Sequence, residues 1–157
     1  MDQAVLRSMA KWPDVPDVYG WLSLDRRGNW LIRGERIGNA ALRDFIGRNY
    51  QPDARGSWYF QNGPQRVFVE LAYTPLVLHA EGEALFDQCG RPFHPLQAFL
   101  DEEGSVLMSG EPGVGLLDDR DLADYADRAQ DLPEIKFAAV PGRFGFVRRP
   151  APGSASV

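Results

Sequence analysis

The sequence predicts an α+β fold: two tandem ββαββ-like repeats, each with an antiparallel sheet packed on one helix, after a short N-terminal helix. Three observations predict it. Short alternating apolar runs end at turns that carry glycine, the pattern of β-hairpins. Each half of the chain holds one amphipathic helical stretch. The second half also repeats the first. Leu24-Asp25-x-x-Gly28-x-x-Leu31-x-x-Gly34-Glu35 lies over Leu100-Asp101-x-x-Gly104-x-x-Leu107-x-x-Gly110-Glu111 at a shift of 76, with six of twelve positions identical. A repeat of this kind is a supersecondary block that cannot bury its apolar face alone.

Residues 1–11 carry Ala4, Val5, Leu6, Met9 and Ala10 in a modest helical pattern. Pro13 and Pro16 then forbid helix continuation, and 12–17 reads as a linker. Residues 18–25 alternate as a strand, Arg26–Gly28 turns with Gly28 in the left-handed region, and 29–33 returns. Asn39 is placed to cap a helix through about Tyr50, with Leu42, Phe45, Ile46 and Asn49 at helical spacing. Residues 51–57 read as a loop. The runs 58–61 and 65–72 flank Asn62-Gly63-Pro64, a strong hairpin signal, with Val67, Val69 and Leu71 facing the core.

After Pro75 a further hairpin is expected over 76–80 and 84–87, followed by a loop from Gly90 to Pro95. In the repeated half, Trp30 matches Val106 and Ile32 matches Met108. Gly110-Glu111-Pro112-Gly113-Val114-Gly115 reads as a turn leading to a helix capped by Asp118 or Asp119. Leu42, Phe45 and Ile46 correspond to Leu122, Tyr125 and Ala126. At a shift of 77, Phe60, Pro64 and Arg66 fall on Phe137, Pro141 and Arg143, which predicts a second returning hairpin. The segmentation is therefore 1–17, helix and linker; 18–76, first repeat; 77–149, connecting hairpin and second repeat; 150–157, disordered tail.

Composition excludes several function classes. The chain has 157 residues, 44% hydrophobic and 25% charged, which suits one domain or two small units sharing a core. Its net charge of −5 argues against a dedicated nucleic-acid binder. Cys89 is the single cysteine, so no internal disulfide and no thiolate zinc cage is expected. The opening stretch lacks the apolar core of a signal peptide, and no run approaches ~18 apolar residues. The expectation is a cytoplasmic protein without membrane or nucleic-acid partners. Charge is uneven: residues 1–77 hold ten basic and eight acidic side chains, residues 78–157 seven and fourteen. Such asymmetry can mark an interaction surface.

The hairpin Asp25-x-x-Gly28-x-Trp30, the turn Gly34-x-x-Ile37 into a helix with Leu42 and Phe45, and a strand pair with Gly56, Pro64 and Val69 resemble an uncharacterised proteobacterial family. That family is in turn similar to one of tandem α+β repeat proteins of unknown function. The similarity spans about residues 19–75, and the stretch 62–66 is more polar here. The resemblance implies the fold and a signalling or ligand-binding role suggested by analogy. It implies no catalytic residues.

The remaining candidates are local. His79, Cys89 and His94 match no zinc spacing, so no metal is expected, and a thiol–imidazole pair is the only nucleophilic arrangement available. Asp25 with Glu35, and Asp101 with Glu111, recur in both repeats. Recurrence favours a structural role, each Asp accepting backbone N–H groups of its turn. Arg143, Arg148 and Arg149 are expected to pair with carboxylates of 118–134. The Asn62–Arg66 turn with its aromatic neighbours offers a recognition patch, and the expected binding residues are Trp58, Asn62, Gln65 and Arg66. The acidic helix over 118–130, with Asp119, Asp121, Asp124 and Asp127, suits a basic partner. The reading is a non-enzymatic module binding a small anionic ligand or a protein partner, with no cofactor and no catalytic residue. A small enzyme built on Cys89 is the alternative, and homodimerisation is a third reading.

Overall fold

A computed structural model describes residues 1–11 and 15–153 of the chain. The linker at 12–14 and the last four residues of the tail, 154–157, lie outside the described residues. The chain divides into two compact units. The first comprises Met1–Asp25, Asn29–Ala72 and the described part of Val147–Val157; the second comprises Arg26–Gly28 and Tyr73–Phe146.

In the first unit, α1 (Gln3–Lys11) precedes β1 (Val18–Leu24), β2 (Trp30–Ile32) and β3 (Glu35–Arg36). Helix α2 (Ala40–Arg48) follows, then β4 (Tyr50–Pro52), β5 (Trp58–Asn62) and β6 (Gln65–Leu71). The six strands form one sheet in the order β3-β2-β1-β6-β5-β4. Asn39 caps α2, its side chain accepting from the Leu42 N–H at 3.0 Å. The helix stops at Asn49, earlier than expected, because Tyr50 is recruited to the sheet opposite Phe60. The predicted loop over 51–57 therefore contains a strand. Phe45 meets Phe60 edge-on at 5.5 Å and docks the helix on β5. Val67, Val69 and Leu71 are buried as expected, and Phe68 is buried on the other face, stacked on Tyr19 at 4.9 Å.

The second unit contains β7 (Leu76–Glu81), β8 (Ala84–Phe86), β9 (Pro92–Phe93), β10 (Gln97–Asp101), β11 (Val106–Gly110) and β12 (Gly113–Leu117). A 3-10 turn (Asp119–Asp121), α3 (Leu122–Ala129), β13 (Glu134–Ile135), a second 3-10 turn (Phe137–Ala139) and α4 (Val140–Phe144) complete it. The sheet order is β13-β10-β11-β12-β7-β8-β9. The expected hairpin of β7 and β8 is present.

The repeat is visible in strand register. Leu22, Ser23 and Leu24 face Ile32, Leu31 and Trp30; Ala98, Phe99 and Leu100 face Met108, Leu107 and Val106. Every pair is shifted by 76. Each lead strand also pairs in parallel with a later one, β1 with β6 and β10 with β13. The sheets are thus mixed: the hairpins are antiparallel, as expected, and β7 with β12 adds a third parallel pairing.

Two expectations for the second half need correction. The Gly110–Gly115 stretch does not lead directly into a helix; it turns a hairpin, and β12 intervenes. A Cβ on Gly110 would meet Phe93 at 2.6 Å and one on Gly115 would meet Leu78 at 2.6 Å. These glycines serve close packing within the sheet. The second returning hairpin is also absent among the described residues. Its positions form β13, a 3-10 turn and α4, because Pro141 suits the first turn of a helix and Gly145, at φ 68°, ends it. Val140 is fully buried, and Phe144 meets Phe99 at 5.5 Å, so α4 supplies packing that α3 does not.

Candidate functional site

The turn predicted to recognise ligands is engaged within the first unit. Gln65 Nε2 donates to the Pro16 carbonyl at 3.0 Å, and Arg66 makes a two-pronged ion pair with Asp17 at 3.0 and 3.1 Å. Asn62 is exposed, whereas Trp58 is 4% exposed and packs on Tyr50 at 4.9 Å. Trp58 belongs to the core and does not reach the surface. A cleft borders this turn, lined by Met9, Pro16, Asp17, Tyr59, Gln61 and Arg66 among others. Buried Gln61 gives its Nε2–H to the Gly63 carbonyl at 3.0 Å, while its Oε1 has no partner among the described residues. An anion here would have to displace the Asp17 carboxylate from Arg66.

Four Asp-x-x-Gly stretches close their own turns among the described residues. Asp25, Asp53, Asp87 and Asp101 each accept the backbone N–H four residues on, at 2.8 to 3.1 Å, and each glycine has φ between 81° and 86°. In each case the carboxylate closes its own turn, as expected for Asp25 and Asp101. In the second unit Asp101 also accepts the Tyr73 hydroxyl at 2.8 Å. Burial, then that bond, pushes the Tyr73 phenol well above its ordinary range.

His79, Cys89 and His94 do not assemble into a ligand set among the described residues. The grouping that does occur is His79 with Asp118 and Asp121. His79 Nδ1 lies 2.9 Å from Asp118 Oδ2, Asp118 Oδ1 accepts the Arg120 N–H at 2.9 Å, and Asp121 Oδ2 accepts the Ala80 N–H at 3.2 Å. Asp118, 1% exposed, also holds the Arg120 guanidinium at the same edge. Burial works to raise its pKa, but the hydrogen bonds from Arg120 outweigh burial and hold it at about 2. Asp118 is spent on protein donors, the Arg120 guanidinium among them, while Asp121 uses one oxygen. The cluster ties β7 to the entry of α3.

Cys89 is half-buried. Burial, then the neighbouring Asp87 carboxylate, pushes its thiol up to about 12. A thiol that stays protonated at neutral pH lacks the thiolate that chemistry needs. The expected pairing of the late arginines with 118–134 also needs correction. Arg148 donates to the Leu71 and Ala72 carbonyls, and Arg143 lies over the Phe99 ring at 5.0 Å. The acidic stretch finds other partners: Asp119 takes Arg27 at 3.0 Å and Asp118 takes Arg120.

The second unit contains a pocket of about 380 Å³, inside the ordinary range for small-molecule sites. Phe86, Phe93, Met108 and Leu117 give it an apolar lining. Glu83, His94, Asp121, Asp124, Tyr125 and Arg128 add polar groups from the β7–β8 turn, the loop after β9, the first 3-10 turn and α3. Helix α3 presents Leu122, Tyr125 and Ala129 only half-buried and has no fully buried residue, whereas α2 buries Ile46 and Gly47. Sequence reasoning missed this site because its lining comes from five separate segments. Only the acidic spacing of Asp121 and Asp124 hinted at it.

Compared with known families, residues 1–151 match the model of DUF2944, described as a "Protein of unknown function (DUF2946)". The chain belongs to the DUF2944 family. No curated protein matches this DUF2944 member. Its fold is similar to that of a DUF1285 family protein from Silicibacter pomeroyi DSS-3, with a TM-score of 0.55 and 14% identity over 76% of this chain and 74% of that one. A DUF1285 family protein from Shewanella baltica OS155 is similar at a TM-score of 0.51 and 15% identity, over 68% of this chain and 90% of that one. At such identities the likeness concerns the α+β fold alone. Among the described residues no helix of this DUF2944 member is long and apolar enough to cross a membrane.

Proposed function

We propose that this DUF2944 member is a non-enzymatic ligand-binding module whose site is the pocket of the second unit. The observation that carries this reading is the contrast between the helices. Helix α2 buries part of its apolar face, while α3 leaves Tyr125 half-exposed beside a pocket with an apolar lining. A ligand seated there completes packing that the chain leaves unfinished. The signalling role attached by analogy to the tandem-repeat family that the sequence resembles fits a module with bound and empty states. The test is a blocking substitution. Ala84, exposed on β8 and part of the lining, becomes Trp, and fragment binding is followed by amide shifts in 1H–15N spectra. Fragments that bind the wild type and shift Phe86, Phe93 and Tyr125 should lose binding in Ala84→Trp. Unchanged binding in that variant contradicts the proposal.

A further inference from the structure

We infer that the ligand is a small organic ammonium, a cationic head on an apolar body; this rests on the pocket being the binding site. The body is assigned by Phe86, Phe93, Met108 and Leu117, which offer apolar surface and no charge. The head is assigned by the carboxylates at the polar side. Glu83 and Asp124 are exposed and make no hydrogen bond or ion pair among the described residues. Asp121 uses one oxygen on the Ala80 N–H. Arg128 lies one helical turn beyond Asp124 but does not neutralise it; its guanidinium sits over the Tyr125 ring at 5.6 Å.

Three carboxylates therefore line the pocket with one guanidinium. An anion meets net repulsion here, and a neutral solute gains only from the apolar lining. An ammonium gains from the unpaired carboxylates and from the aromatic rings of the lining. The volume of about 380 Å³ suits a small molecule with a single head group.

Three probes with one apolar body separate these cases: 2-phenylethylamine, 2-phenylethanol and phenylacetate, each titrated into the full chain and followed by 1H–15N spectra. The amine should bind about tenfold more tightly than the alcohol, with phenylacetate weakest. In the exposed double variant Glu83→Gln/Asp124→Asn the amine should fall to the level of the alcohol, while the alcohol is unchanged. Equal affinities for amine and alcohol, or a preference for phenylacetate, overturn the ammonium assignment and leave the pocket standing. Binding of all three that survives Ala84→Trp places them outside the pocket and overturns both readings. Failure of all three, with other fragments still sensitive to Ala84→Trp, overturns the ammonium assignment alone.

Discussion

The imidazole Nδ1 of His79, on β7, lies 2.9 Å from Oδ2 of Asp118, a carboxylate that is 1% exposed at the entry to α3. Arg120 also binds this carboxylate, through its guanidinium and its backbone N–H. This arrangement has a consequence in acid. The folded-state pKa of Asp118, about 2, lies below its ordinary value of 3.8. A lowered carboxyl pKa stabilises the fold fully above the ordinary value, and the contribution fades as pH falls from about 4 to about 2. It amounts to about 2 kcal/mol. Urea unfolding of the wild type and Asp118→Asn at pH 5 and pH 2 should show the gap between them shrink by that amount. A gap independent of pH contradicts this role.

The four Asp-x-x-Gly turns share a backbone but not surroundings. A Cβ on Gly104, at φ 83°, meets nothing within 4 Å, so Gly104→Ala should cost only the backbone strain, about 1 kcal/mol. A Cβ on Gly28, at φ 82°, would lie 3.0 Å from Gln88 Cβ and 3.1 Å from His79 Nε2. Gly28→Ala should therefore cost at least twice as much in chemical denaturation. Equal losses at the two sites would show that His79 and Gln88 move aside freely.

Much of this was legible beforehand, and the reasons are local. Asp25, Gly28 and Asn39 act through their own turn or cap, within a few residues, so their chemistry is written in short spacing. The hairpin register at a shift of 76 is legible for the same reason. Asp53 and Asp87 follow the same Asp-x-x-Gly rule and were readable from it. The returning hairpin of the second half failed because matching Pro64 to Pro141 ignores what precedes each: Asn62-Gly63 favours a hairpin, while Ala138-Ala139-Val140 favours a helical turn. The engagement of Gln65 and Arg66 was not legible because Pro16 and Asp17 lie 49 residues away in sequence from their partners, a distance over which no pattern reports. The pocket is invisible on the same ground.

Cys89 should behave as an unreactive, half-buried thiol. With its pKa pushed up to about 12, labelling by a thiol-reactive probe at pH 7.5 should be far slower than in the urea-unfolded chain. His94→Ala should leave that rate unchanged. Rapid labelling in the native state that slows in His94→Ala would instead revive a Cys/His enzyme.

Gln65 and Arg66 should matter little to binding. Arg66→Ala removes an ion pair whose arginine side chain is 42% exposed, a loss of about 0–1 kcal/mol in stability. Neither Gln65→Ala nor Arg66→Ala should change the affinity of fragments that shift Tyr125. A severalfold loss from either would return the site to the first unit.

The most direct measurement is a map of where fragments bind on the wild-type chain, taken from amide shifts across an assigned 1H–15N spectrum. Shifts should concentrate on Glu83, Phe86, Phe93, Asp124 and Tyr125, around the pocket of the second unit. Shifts centred on the Asn62–Arg66 turn, with those five residues unmoved, would contradict the account.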